Sequence, residues 1–210
     1  MTKSGAAVSY TYNADGLRTQ KTVSGTGSEN QTYTYLNGTL THSTYGSANL
    51  HYTYDSTGPS SVTYSGTKYF YLKNAQGDIL GLVDTSGNQV VAYTYDAWGK
   101  LLTSNGSLAS TLGKANPFRY RGYVYDEETG LYYLQSRCYN PAMGRFINAD
   151  GEITGAGESV QGYNLFAYCH NNPVNMSDPD GNWPSWSQIF TVVAVAAVVI
   201  AAIAVTAATC

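Results

Sequence analysis

The chain is poor in charge. Only 12% of its residues are Asp, Glu, Lys or Arg, about half the share usual in a soluble globular domain. Net charge is −3 and no basic stretch stands out, so the electrostatic footprint of a nucleic-acid binder is absent. Six prolines are too few for a disordered Pro-rich linker. Three cysteines, Cys138, Cys169 and Cys210, are odd in number, far apart and without metal-ligand spacing; they are expected as buried or incidental thiols. His42, His51 and His170 form no His-x-x-x-His pattern, and there is no Cys-x-x-Cys, so neither a metal nor another cofactor is expected. Gly155-Ala156-Gly157 lacks the following Lys of a phosphate loop. No nucleophile-elbow motif supports Ser-His-Asp chemistry. Met1 to Tyr10 contains no apolar core of signal-peptide length.

What is abundant is Tyr, with 20 copies, and Gly, with 22. Tyr and Thr favour a pleated, half-buried surface, whereas Gly, Asn and Asp favour tight turns. The composition predicts an all-β chain with many short strands. Its organisation is repetitive. One unit reads Tyr-(Asp/Asn)-x-x-Gly: Tyr12-Asn13-Ala14-Asp15-Gly16, Tyr54-Asp55-Ser56-Thr57-Gly58 and Tyr95-Asp96-Ala97-Trp98-Gly99. Looser copies are Val83-Asp84-Thr85-Ser86-Gly87 and Leu72-Lys73-Asn74-Ala75-Gln76-Gly77, and a stretched one is Tyr125-Asp126-Glu127-Glu128-Thr129-Gly130. Alternation before the unit, as in Val91-Ala92-Tyr93-Thr94-Tyr95, sets Tyr93 and Tyr95 on one face. Asp or Asn bonds the backbone of the coming turn, and Gly accepts its positive φ. Each unit is thus a hairpin. A lone hairpin is marginal, so consecutive ones should spiral into one long antiparallel sheet. The tyrosines are read as cross-strand packing and hydroxyl hydrogen bonding rather than as a carbohydrate-binding surface.

From Asn116 to Gly181 the sequence is more individual. Asn116-Pro117-Phe118-Arg119-Tyr120-Arg121-Gly122-Tyr123 leads into Tyr125-Asp126-Glu127-Glu128-Thr129-Gly130-Leu131-Tyr132-Tyr133. Gly144-Arg145-Phe146 and Asp178-Pro179-Asp180-Gly181 follow in that order. This string resembles the Rhs repeat-associated core of bacterial Rhs and YD-repeat polymorphic toxins. That core type also occurs in the C component of insecticidal toxin complexes, and animal teneurins share the YD shell. The resemblance implies a hollow β-shell that encapsulates a C-terminal toxin, with the core plugging one end. It also implies, for many members, that the core is an aspartic autoprotease cutting just after the Asp-Pro-x-Gly motif.

An aspartic protease needs two neighbouring carboxylates, one ionised and one protonated, to activate a water. Asp150 and Asp178 fit the family pattern for that pair. Arg145 is the candidate supporting cation, and Asp180 a less favoured third participant. Self-cleavage is then expected near Asn182–Trp183, where family members that cut themselves typically carry Leu. Two further departures are Asn140 in place of Asp before Pro141, and Gly151 after Asp150. The bland alternative is structural: Asp-Pro-x-Gly is also a good turn sequence.

From Ile189 to Cys210 no charged residue occurs. As a helix this run would measure roughly 33 Å, enough to cross a bilayer. Trp183 and Trp186 stand where an interfacial belt would lie. A buried apolar helix is the competing reading.

The expected architecture is therefore a spiralling antiparallel β-hairpin sheet forming a partial shell, with one C-terminal apolar α-helix. Residues 1–115 make the hairpin array, 116–182 the core and 183–210 the apolar helix. Three functions are expected in order of preference: a mainly structural end of a toxin-enclosing shell; the same core as an autoprotease; a degenerate gene fragment without activity of its own. The expected partners are the rest of the shell, a C-terminal toxin or its immunity protein, and a membrane through 189–210. The expected setting is bacterial, secreted or at the cell surface.

Overall fold

The computed structural model describes residues 7–25, 29–151 and 164–182. Ten strands follow one another in chain order across a single antiparallel sheet that does not close into a barrel. They are β1 (Val8–Tyr12), β2 (Arg18–Val23), β3 (Gln31–Leu36), β4 (Thr39–Tyr45) and β5 (Ala48–Asp55), then β6 (Gly58–Tyr64), β7 (Thr67–Lys73), β8 (Ile79–Val83), β9 (Gln89–Tyr95) and β10 (Leu101–Asn105). A second sheet of four short strands comprises β11 (Val124–Asp126), β12 (Leu131–Tyr133), β13 (Cys138–Asn140) and β14 (Arg145–Phe146).

The hairpin unit has a common turn. At Asn13, Asn74, Asp84 and Asp96 the side-chain oxygen Oδ1 accepts backbone N–H groups two and four residues on, at 2.8–3.1 Å. The glycine of each turn, Gly16, Gly77, Gly87 or Gly99, sits at φ 77–85°, a conformation any side chain would strain. The copy at Asp55 is tighter. Asp55 pairs directly with Gly58, and within the turn its Oδ1 accepts the Thr57 N–H and hydroxyl, with Lys73 Nζ adding a contact at 3.2 Å from β7. The stretched copy differs again: the Asp126 side chain leaves its own turn for Arg18. Asn37-Gly38 and Ser65-Gly66 close two-residue turns with both residues at positive φ, the geometry that matches strand twist.

One face of the long sheet is the core face. Leu50, Val62, Ile79, Leu82 and Val91 are fully buried there, and Tyr52, Tyr71 and Tyr93 nearly so. Residues 106–118 run back across them and insert Leu112, Ala115 and Phe118. The only α-helical turn among the described residues, α1 (Leu112–Ala115), lies in this return. Phe118 meets Tyr52, Tyr54 and Tyr71 edge-on, a geometry worth about 1 kcal/mol per pair beyond burial. Buried Arg119 donates to the carbonyls of Gly113, Asn116 and Phe118 and stacks over Tyr93 at 4.1 Å. It therefore satisfies the backbone where the array gives way to the small sheet.

Antiparallel order puts every second turn at the same end of the sheet, and that end holds the core. Tyr139 donates to the Trp98 carbonyl and Tyr132 to that of Gly99, each at 2.7 Å. Tyr133 donates to Gly16 and Arg121 to Gln76. The YD turns thus lend carbonyls to core tyrosines. A second cluster, built on Tyr120, Tyr123, Tyr132, Tyr139, Phe146 and Tyr168, fills the core.

The apolar run 189–210 lies outside the described residues. Among the described residues no helix is long and apolar enough to cross a membrane.

Candidate active site

The site is built on the turn Leu134–Arg137, which joins β12 to β13. Leu134 N–H donates to the Arg137 carbonyl at 2.9 Å, closing the turn. The Asp178 segment docks on it: the Asp180 carbonyl accepts both the Ser136 N–H at 3.1 Å and the Ser136 hydroxyl at 2.7 Å. Gly181, at φ 77°, lies so close that a Cβ would stand 2.8 Å from the Leu134 carbonyl oxygen. The motif's glycine is therefore required twice, by backbone conformation and by space.

Arg137 is the centre of the site. It is buried, and its guanidinium stacks over the Phe146 ring at 3.8 Å. Nη1 lies 3.0 Å from Asp150 Oδ2, and Nη2 3.4 Å from Asp178 Oδ2. The same group donates to backbone carbonyls of three residues: Leu165 at 3.2 Å, Asn182 at 3.1 Å and Gly181. One cation thereby gathers both sequence-predicted carboxylates and the two carbonyls that follow Asp180. Its planar fork is what allows so many directed contacts; a lysine ammonium has no such geometry.

Asp178 is fully buried. Its Oδ1 accepts the Gly181 N–H at 2.9 Å, and its own N–H donates to the Tyr123 hydroxyl at 2.9 Å. That hydroxyl pairs with Tyr168 at 3.1 Å. Burial raises the Asp178 carboxyl to about 6, against the opposing pull of Arg137; Asp180 adds to the rise. Asp150 is held from the backbone as well, its N–H donating to the Leu165 carbonyl at 2.9 Å.

Arg145 stands elsewhere. It is exposed, and its guanidinium lies over Phe166 at 4.7 Å. The arginine between the carboxylates is Arg137, which the sequence reading passed over in favour of the one beside the Gly-Arg-Phe motif. The available signal was a charged residue at the foot of a strand, Cys138-Tyr139, whose neighbours are otherwise uncharged. Asp180 is exposed and turns its Oδ1 to the Asn182 N–H at 3.2 Å. Cys138 and Cys169 are free thiols, and no metal-binding group of three or more His, Cys, Asp or Glu occurs among the described residues.

The teneurin YD-shell family model matches residues 50–174, from β5 through the core sheet to the edge of the Asp178 segment. The chain belongs to the teneurin YD-shell family. That match includes Arg137 and Asp150 and stops short of Asp178. Its relatives include the tRNA nuclease WapA of Bacillus subtilis strain 168, 43% identical over 189 residues. The WapA nuclease of Bacillus spizizenii is 41% identical over 180 residues. Each alignment takes in 83% of this chain and 7% of the relative, so the chain spans under a tenth of those proteins. Among solved structures, the TcdB2-TccC3-Cdc42 crystal structure superposes with a TM-score of 0.64 at 25% identity, over 83% of this chain and 9% of that one. The Photorhabdus luminescens Tc holotoxin pore superposes at 0.54 and 22% identity, over 87% of this chain and 10% of that one; this last likeness is one of fold.

Proposed function

We propose that this YD-shell segment carries the core-bearing end of a bacterial toxin-enclosing shell, and that its core cuts its own chain at Asn182–Trp183. The shell's partner is a C-terminal toxin, and the setting is a secreted or surface-displayed delivery protein. The relatives named as tRNA nucleases and the Tc toxin assemblies support that context. The observation that carries the self-cleavage is the convergence on Arg137 of Asp150, Asp178 and the Asn182 carbonyl.

The chemistry follows from that convergence. Arg137 Nη2 polarises the Asn182 carbonyl and receives charge developing on its oxygen. The Asp150 carboxylate takes a proton from a water whose oxygen attacks the carbonyl carbon. Asp178, the carboxyl kept protonated more easily by burial, delivers its proton to the carbonyl oxygen. The tetrahedral adduct then collapses. The C–N bond breaks as the Trp183 nitrogen takes the proton held by Asp150 and leaves as an amine, one hydroxyl proton of the adduct returns to Asp178, and Asn182 keeps the new carboxyl group.

Asp150→Asn and Asp178→Asn test this separately. Each leaves a near-isosteric side chain, and each is expected to yield an uncut chain by intact mass. Processing at Asn182–Trp183 in the Asp178→Asn protein would overturn the assignment.

A further inference from the structure

An open-sided cavity of about 210 Å³ lies where the hairpin wall meets the core. Its walls are unusual in composition. Five aromatic residues line it: Tyr35 and Tyr54 from the array, and Phe118, Tyr123 and Tyr133 from the core side. Every other lining side chain is uncharged too. The absence of a countercharge disfavours an ionic ligand, which would lose its hydration without compensation.

Three of the four tyrosine hydroxyls are already committed. Tyr54 donates to the Leu40 carbonyl at 2.5 Å, Tyr133 to that of Gly16, and Tyr123 accepts the Asp178 N–H. What these residues offer a ligand is ring surface, which favours a flat apolar partner over a sugar needing many hydrogen bonds. Size agrees: an apolar cavity of about 150 Å³ takes benzene, so this one has room for a bicyclic ring.

The cavity also touches the carboxylate site from behind. Tyr123 lines it and also holds the Asp178 backbone with its hydroxyl. Pro179, next to Asp178, lines it as well, as does Gln135, which sits at φ 64° in the turn that carries Arg137. A ring inserted here would press on three of the pieces that position Asp178 and Arg137.

We infer that this cavity binds a neutral aromatic ring, either a free small molecule or a tryptophan side chain of an enclosed peptide, and that its occupancy sets the rate of self-cleavage. The second half rests on the self-cleavage reading; the binding does not.

The test uses the full chain and two probes, indole and N-acetyltryptophanamide. Methyl NMR should show saturable shifts at Leu40 and Val124, with a Kd on the order of 1 mM or tighter. The plugging variant Thr39→Trp, at an exposed hairpin tip, should abolish them while leaving the remaining spectrum intact. Binding of indole alone assigns the site to free ligands, and binding of both assigns it to a peptide side chain. No saturable shift with either probe overturns the binding. At saturating probe the cleavage rate should change about fivefold or more, the lower range of coupling between sites. Binding with an unchanged rate overturns the regulatory half. A chain that binds and never cuts refutes the self-cleavage reading, and the regulatory half with it, while the binding stands.

Discussion

Arg18 and Asp126 lie far apart in sequence and meet in a buried ion pair, Nη1 reaching the two carboxylate oxygens at 2.9 and 2.8 Å. The pair fastens β2 of the first hairpin to β11 of the core. Tyr10 and Tyr133 sandwich the guanidinium at 4.0 and 4.1 Å, and Lys21 adds a second buried cation beside Asp126 and Glu128. Removing one partner leaves the other charge buried and uncompensated, at a cost of about 3–5 kcal/mol. Asp126→Ala should therefore lower the urea midpoint by that amount of stability. A loss under about 1 kcal/mol would mean that the clasp is no more than a surface ion pair.

The YD turns can be split into a conformational and a steric part. Gly87 and Gly99 share φ values of 85° and 83°. A Cβ on Gly87 would meet nothing within 4 Å, whereas one on Gly99 would stand 2.4 Å from the Tyr120 ring. Gly87→Ala should cost about 1–2 kcal/mol, the left-handed penalty alone. Gly99→Ala should cost about 1–3 kcal/mol more from overpacking, visible as a larger fall in thermal midpoint. Equal losses would show that the Tyr120 contact yields freely.

The raised Asp178 carboxyl fixes a pH dependence. Its folded value of about 6 lies above the ordinary aspartate range near 3.9. Between those values the folded chain holds more protons than the unfolded one, so stability falls as pH rises through that window. Asp178→Asn should flatten this slope in denaturation series from pH 4 to 7. Cleavage should follow the same group. As a proton donor Asp178 acts in its protonated form, so the rate should rise as pH drops from 8 towards 6.

Arg137 acts on both carboxylates at once. Arg137→Lys retains the charge but not the fork, and cleavage should slow by about 100-fold or more. Arg137→Gln removes the charge that opposes the rise at Asp178. Any residual activity should therefore show its pH profile displaced to higher pH. A profile unmoved in Arg137→Gln would place Arg137 outside the proton-transfer step.

The sheet was legible because local rules agreed with the global fold. Tyr-Asx-x-x-Gly carries its own turn chemistry, and alternation in stretches such as Val91–Tyr95 gives the buried face directly. Asp55 and Asp126 mark where that reading stopped. One closes a tighter turn, and the other answers a partner in β2 that no local pattern reveals. The carboxylate pair was reached through family resemblance, since neither spacing nor composition brings Asp150 to Asp178. Arg137 escaped notice because its role depends on the Asp178 segment packing onto the Leu134–Arg137 turn, a contact between distant stretches of chain. Arg145, next to a recognisable motif, drew attention for its position in the sequence and proved to face solvent.

Arg137, Asp150 and Asp178 are proposed to cut the chain after Asn182. Intact mass of the purified full-length chain, held near pH 6 and followed over time, tests it most directly. A growing species whose mass ends at Asn182 is expected, with a matching fragment that begins at Trp183. A chain that stays whole under those conditions, or one cut elsewhere, would contradict it.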